Sequence, residues 1–210
     1  MMFEAMREAM VDSQLRPTGV NDPAVLAAIR AVPRERFVPP ARASLAYADT
    51  AIELAPGRWM IEPLIFGLLL THARIAPADR VLVVGAATGY AAAVIGRLSR
   101  HVVAVEENAG LALAARANGV EVETGPLADG WAAGAPYDLI FIDGAAAVLP
   151  SQLLAQSAVG GRLAAVIVGD DGVGRATVGR VAGGHFAGTG FFETGAVVLP
   201  GFGLTPKFVF

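Results

Sequence analysis

The sequence predicts an α/β protein built on a doubly wound parallel sheet, and three observations carry that prediction. Short apolar runs at 81–84, 102–105, 137–143 and 162–168 are of strand length, and helical segments such as 111–117 alternate with them. The first run leads into a tight loop bounded by Gly85 and Gly89, and a helix opens at Tyr90. That order of strand, glycine loop and helix is the usual cradle for a nucleotide-like cofactor, because backbone approaches the ligand closely and helix-terminal N–H groups face it. Beyond Gly169, glycines separate short β-prone pieces at 175–181, 191–192 and 196–199, which predicts an antiparallel finish to the sheet.

Residues 1 to 60 read as an N-terminal helical cap and 61–210 as the α/β core of a single domain. Phe3, Met6, Met10 and Leu15 recur at near-helical spacing, and Pro17-Thr18-Gly19 ends that helix. Asn21-Asp22-Pro23 is a cap with proline in the first turn, and Val25, Leu26, Ile29 and Val32 form the apolar face of the helix that follows. Pro33, Pro39 and Pro40 bracket the segment 34–38, and Pro56-Gly57 is a turn signal. A second helical pattern covers 60–73, with Pro63 in its first turn, and the loop 76–79 delivers the opening strand. The strand at 102–105 ends in Glu106-Glu107, and the helix 111–117 ends at Asn118-Gly119. Residues 120–122 make a third short strand, 153–158 a helix, and Gly160-Gly161 turns the chain into the strand at 162–168. The apolar C-terminus, Phe208-Val209-Phe210, reads as a closing strand, with a dimer contact as the alternative.

Composition narrows the function. The chain has 210 residues, is 54% hydrophobic and has a mean hydropathy of +0.54, enough for one domain with a large core. No run reaches the roughly 18–20 apolar residues that span a bilayer. The most apolar stretch, 64–70, follows directly on Glu62-Pro63, and Glu4, Arg7, Glu8 and Asp12 leave no apolar signal-peptide core. A cytoplasmic protein with no membrane partner is expected. There is no cysteine, and His72, His101 and His185 are scattered, so no metal is expected. A net charge of −3 without a basic cluster argues against a nucleic-acid partner.

Two cofactor classes compete for the glycine loop. A dinucleotide fingerprint needs glycine where this chain has Ala87 and Tyr90, and the bulky tyrosine argues against that class. S-adenosylmethionine loops use Gly-x-Gly-x-Gly, which Gly85, Ala87 and Gly89 match at two of three positions. Glu106, at the end of the next strand, is placed to accept two hydrogen bonds from ribose hydroxyls. Asp143 also ends a strand on the side of the sheet where ligands gather, as a substrate-side group or an ordinary strand-end acid.

Over nearly its full length the chain resembles the protein-L-isoaspartate O-methyltransferase family. The resemblance rests on Met10-Val11-Asp12-Ser13-Gln14-Leu15-Arg16, Asp22-Pro23-Ala24-Val25-Leu26, Val32-Pro33-Arg34-Glu35-Arg36-Phe37-Val38-Pro39 and Leu45-Ala46-Tyr47-Ala48-Asp49. Gly130-Trp131, Pro136-Tyr137-Asp138 and Gly160-Gly161-Arg162-Leu163 continue it in order. It implies a seven-stranded, mostly parallel methyltransferase sheet and S-adenosyl-L-methionine as cofactor, held by Gly85, Ala86, Ala87, Thr88, Gly89, Glu106 and Gly125. It also implies methyl transfer to isoaspartyl carboxylates of damaged proteins and peptides. Three positions depart from the family pattern. Its Ser-Gln-Pro reads Ile61-Glu62-Pro63, so the active-site hydroxyl is missing and no catalytic residue is assigned. Glu62 either repels a substrate carboxylate or caps the next helix and faces solvent. The loop's middle glycine is Ala87, and the family's adenine-binding Gly-Asp-Gly reads Gly125-Pro126-Leu127, with Asp129 three residues beyond Pro126. These departures leave open a non-catalytic relative acting as a binding module, or a methyltransferase for another acceptor.

Overall fold

A computed structural model describes residues 2–204. The predicted closing strand at 208–210 lies outside the described residues. Helix α1 (Met2–Met10) continues through a wide π turn at Val11–Leu15 and a 3-10 turn at Arg16–Thr18. Helix α2 (Pro23–Ala31) starts where Asp22 Oδ1 accepts from the N–H groups of Ala24 and Val25, the cap read from the sequence. Arg30 of α2 pairs with Glu8 at 2.7 Å and Asp12 at 3.0 Å, which fixes α2 against the first helix.

The cap is not entirely helical. Strands β1 (Ile52–Ala55) and β2 (Arg58–Met60) form an antiparallel hairpin around the Pro56-Gly57 turn. Helix α3 (Pro63–Ala73) follows, buried on almost every side. Such a helix shows no amphipathic stripe, because it is covered by the cap on one side and the sheet on the other.

The main sheet has seven strands: β3 (Arg80–Val84), β4 (His101–Glu106), β5 (Glu123–Thr124), β6 (Tyr137–Ala146), β7 (Ser157–Val168), β8 (Gly174–Ala182) and β9 (His185–Thr194). Their order is β5-β4-β3-β6-β7-β8-β9, parallel through β7 and antiparallel thereafter. The doubly wound reading and the antiparallel finish both hold. Chain order reverses between β3 and β6, and a crevice opens at their carboxyl ends.

Alternate residues of each strand feed two apolar layers. Val81, Val83, Leu139 and Phe141 pack with the cap and α3, whereas Leu82, Val84, Ile140 and Ile142 pack with Leu127, Leu153 and Phe202 on the opposite face. Helices α4 (Tyr90–Ile95), α5 (Ala109–Ala117) and α6 (Ser151–Leu154) complete the layers.

Four local expectations are corrected. The third parallel strand is Glu123–Thr124 and not 120–122, because Val120 packs against Gly89 and Ala115 at the end of α5. The helix expected at 153–158 is the single turn α6, and Ser157 already pairs with Tyr137 in the sheet. Gly160-Gly161 lies inside β7 as an irregularity, with pairing stepping from Tyr137↔Ser157 to Leu139↔Arg162. Residues 196–199 form no strand but a bridged crossing segment, Val198 against Ala145.

Candidate active site

The Gly85–Gly89 loop sits at the carboxyl end of β3, above the reversal of strand order. Three of its residues are left-handed: Gly85 at φ +80°, Ala87 at φ +48° and Gly89 at φ +97°. A Cβ on Gly89 would come within 3.0 Å of the Val120 side chain, so glycine there permits close packing of loop on helix. Ala87 holds the same hand with a methyl group present, at a cost of about 1 kcal/mol. The amides of Gly85 and Ala86 both donate to the Val105 carbonyl at 3.0 Å, which ties the loop to β4. Thr88 turns away from the strand ends and donates its hydroxyl to the Phe37 carbonyl at 2.6 Å.

Glu106 ends β4 directly beneath this loop and has no exposed surface. Its carboxylate is fully engaged. Oε1 accepts from Arg58 Nη1 and, at 2.8 Å, from the Asn108 amide. Oε2 accepts from Arg58 Nη2 at 2.7 Å and from the Ala87 amide at 2.8 Å. A carboxylate has about four acceptor directions, and all four are taken. Arg58 comes from the first residue of β2, and only 4% of its surface is exposed. Sequence reasoning missed this partner. The readable signal was a lone arginine in the apolar alternation of the hairpin, facing a strand-end acid that burial obliges to pair.

The Ile61-Glu62-Pro63 corner borders the crevice. Ile61 is buried, and its carbonyl accepts from Arg34 Nη2 at 2.5 Å. Glu62 does not cap α3; Asp49 does, its Oδ1 accepting from the Leu64 amide at 3.2 Å. The Glu62 side chain instead lines a cavity of about 190 Å³ with Trp59, Ile61, Gly144, Val197 and Leu199, and its Oε2 has no partner. Arg34 is 1% exposed, lies 4.7 Å from the Tyr90 ring centroid, and leaves Nε and Nη1 without partners. Tyr90 itself is locked between Phe37 and Phe66. Asp143 lies at the end of the β6 apolar run, and burial pushes its carboxyl up to about 7 against the pull of Arg34 and Arg58.

On the far side of Glu106, the Gly125 amide donates to the Glu106 carbonyl at 3.3 Å. Pro126 opens a short 3-10 turn whose Leu127 is buried. Asp129 is exposed, and its carbonyl accepts from Nε2 of Gln156, just beyond α6, at 2.6 Å. It does not rebuild an adenine contact beside Gly125.

As packed, Arg58 and Leu199 stand where S-adenosylmethionine is expected, over the Gly85 loop and Glu106. The acid positioned for a ribose diol has no free acceptor. The opposite wall is closed by Leu199, whose Cδ1 lies 2.8 Å from where a Cβ on Gly85 would sit and whose Cγ lies 2.7 Å from the equivalent point on Gly144. The structure therefore brings Gly85, Ala86, Ala87 and Glu106 together, directs Thr88 to the cap, and fills the space above them with Arg58 and Leu199.

Comparison with known proteins identifies the scaffold. The sequence profile described as protein-L-isoaspartate(D-aspartate) O-methyltransferase matches residues 5–177. Protein-L-isoaspartate O-methyltransferase 1 of Rhodopseudomonas palustris (strain HaA2) is 39% identical over 180 residues, covering 82% of this chain and 74% of that protein. The protein-L-isoaspartate O-methyltransferase of Methylorubrum extorquens (strain PA1) is 42% identical over 163 residues, covering 75% and 72%. Among solved structures, a beta-aspartate methyltransferase (PCMT) from Plasmodium falciparum, in complex with S-adenosyl-L-homocysteine, superposes with a TM-score of 0.77 at 17% identity. That superposition covers 94% of this chain and 97% of the other. On the extent of these matches and the shared sheet, the chain belongs to the protein-L-isoaspartate(D-aspartate) O-methyltransferase family.

Proposed function

We propose that the chain performs the reaction its family is named for, the S-adenosylmethionine-dependent methylation of isoaspartyl carboxylates in damaged proteins and peptides. The observation that carries the reading is the family match along residues 5–177, with relatives near 40% identity over most of the chain. The acceptor carboxylate is ionised at neutral pH and is itself the nucleophile, so the protein need supply no base. Its tasks are to orient the acceptor and exclude water. In this reading Gly85, Ala86, Ala87, Glu106 and Gly125 form the cofactor side, Gly89 shapes the loop, Thr88 ties it to the cap, and Trp59, Ile61 and Glu62 form the acceptor wall. The unpaired Glu62 oxygen is a negative group on that wall, which predicts weak binding of an anionic acceptor. We place the reaction in the cytoplasm, without a nucleic-acid or membrane partner, a reading supported by the net charge of −3 and the absence of cysteine. Incubation with an isoaspartyl peptide and methyl-labelled S-adenosylmethionine tests it. Base-labile label on that peptide, absent from its aspartyl counterpart, is the expected result; no transfer at any cofactor concentration overturns it.

A second reading is favoured by one observation, the saturation of Glu106 by Arg58. In it the chain keeps the family's scaffold as a non-catalytic binding module, and the same assay gives no label.

A further inference from the structure

We infer that Arg58 and Leu199 form an internal plug that occupies the cofactor position, so that S-adenosylmethionine or its demethylated product enters only when the β1–β2 hairpin withdraws Arg58. The inference rests on the reading that the Gly85 loop and Glu106 are the cofactor site.

Four observations support it. The Arg58 guanidinium meets Glu106 end-on through Nη1 and Nη2, a two-donor pattern like the one a ribose diol presents to a strand-end acid. Its Nη2 also lies against Gly85, 3.4 Å from where a Cβ would project, on the face that glycine leaves open. Leu199 fills the remaining space above Gly85 and Gly144, held there by its amide donating to the Ala145 carbonyl at 2.9 Å. Finally, Arg58 Nε is buried without a partner, so the guanidinium is not fully satisfied where it lies.

The part that moves is small. Arg58 is carried on a hairpin of four plus three residues that pairs only with itself. Ile52 and Met60 hold the hairpin in the core, so the part that swings is its exposed turn, Pro56-Gly57, with Arg58 beside it, and this moves without disturbing the seven-stranded sheet. Departure of Arg58 leaves Glu106 buried beside the Ala87 and Asn108 amides, with two acceptor directions free for ligand hydroxyls. The ligand then replaces donors that the chain has lost. Binding is reduced by the fraction of molecules with the hairpin open.

Calorimetric titration with S-adenosylhomocysteine, on the native chain and on Arg58→Gln and Leu199→Ala variants with native circular dichroism, tests the plug. At least tenfold tighter binding in either folded variant is expected. Should Arg58→Gln fail to fold because Glu106 is left unpaired, Leu199→Ala decides alone. Equal affinity in native and variant chains overturns the plug while leaving the methyl-transfer reading intact. Absence of binding in all of them overturns the plug and the cofactor reading together. Hydrogen exchange on the native chain supplies a readout without substitution: added S-adenosylhomocysteine is expected to raise exchange at 52–60, and unchanged or slower exchange there contradicts the inference.

Discussion

Asp143 shows how one side chain records its surroundings. It closes the β6 apolar run at 6% exposure, and loss of water raises its carboxyl to about 7; Arg34 and Arg58 oppose that rise and Glu106 adds to it. An aspartate in the unfolded chain titrates near 3.9. Between about pH 4 and pH 7 the folded chain therefore keeps a proton that the unfolded chain has released. The stability this group contributes is complete below pH 4 and is lost as pH rises to 7, at up to about 1.4 kcal/mol per pH unit. Asp143→Asn imitates the protonated form and removes that slope. Thermal unfolding from pH 4 to 8 is expected to give matching midpoints at the acid end, with the variant increasingly more stable toward pH 8. Parallel curves across the range would exclude Asp143 as the source.

At the scale of elements, the joint between α3 and the sheet depends on one guanidinium. Arg162 of β7 donates to the Ala73 and Arg74 carbonyls at 2.7 Å, which α3 leaves unpaired at its C-terminus, and it pairs with Asp79 in the loop before β3. Arg162→Ala is expected to cost about 2 kcal/mol, since charge-assisted bonds to partly buried groups are lost. Arg162→Lys recovers only part of this, because a single ammonium nitrogen cannot stand at both positions that Nη1 and Nη2 occupy, beside the carbonyls and beside Asp79. Urea unfolding with an unchanged slope measures both values. The element scale also shows what was readable in advance. Strands β3, β4 and β6 announce themselves as apolar runs because both of their faces are covered, and Asp22 announces α2 through local capping chemistry. The hairpin does not, since three and four residues give too little alternation for a period to register. The β5 position misled for a physical reason: Val120 and Val122 are apolar because they join the core, not because they pair. At the site, the loop glycines and Glu106 were legible from position alone. Arg58 and Leu199 were not, because their roles depend on contacts with residues distant in the chain, Glu106 for Arg58 and Gly85 and Gly144 for Leu199, which no local pattern encodes.

At the scale of the molecule, the sheet is unevenly supported, and this decides which part can move. Strands β3 and β6 lie at the centre with apolar layers on both faces, whereas β9 pairs only with β8 among the described residues and is mostly exposed. Free energies of local opening follow burial and pairing, so the central strands open only with global unfolding and β9 opens far more readily. Hydrogen-exchange mass spectrometry at pH 7 is expected to show amides at 185–194 exchanging at least tenfold faster than those at 137–146. Similar rates in the two segments would mean that the antiparallel end shares the stability of the centre. The Gly85 loop is anchored to this rigid centre through β3 and β4, whereas Arg58 belongs to a hairpin outside the sheet. Under the proposed plug, a ligand entering above Glu106 meets a fixed floor and a movable roof, and the free energy of entry is set by the Arg58 turn and the crossing segment at Leu199 and not by deformation of the sheet.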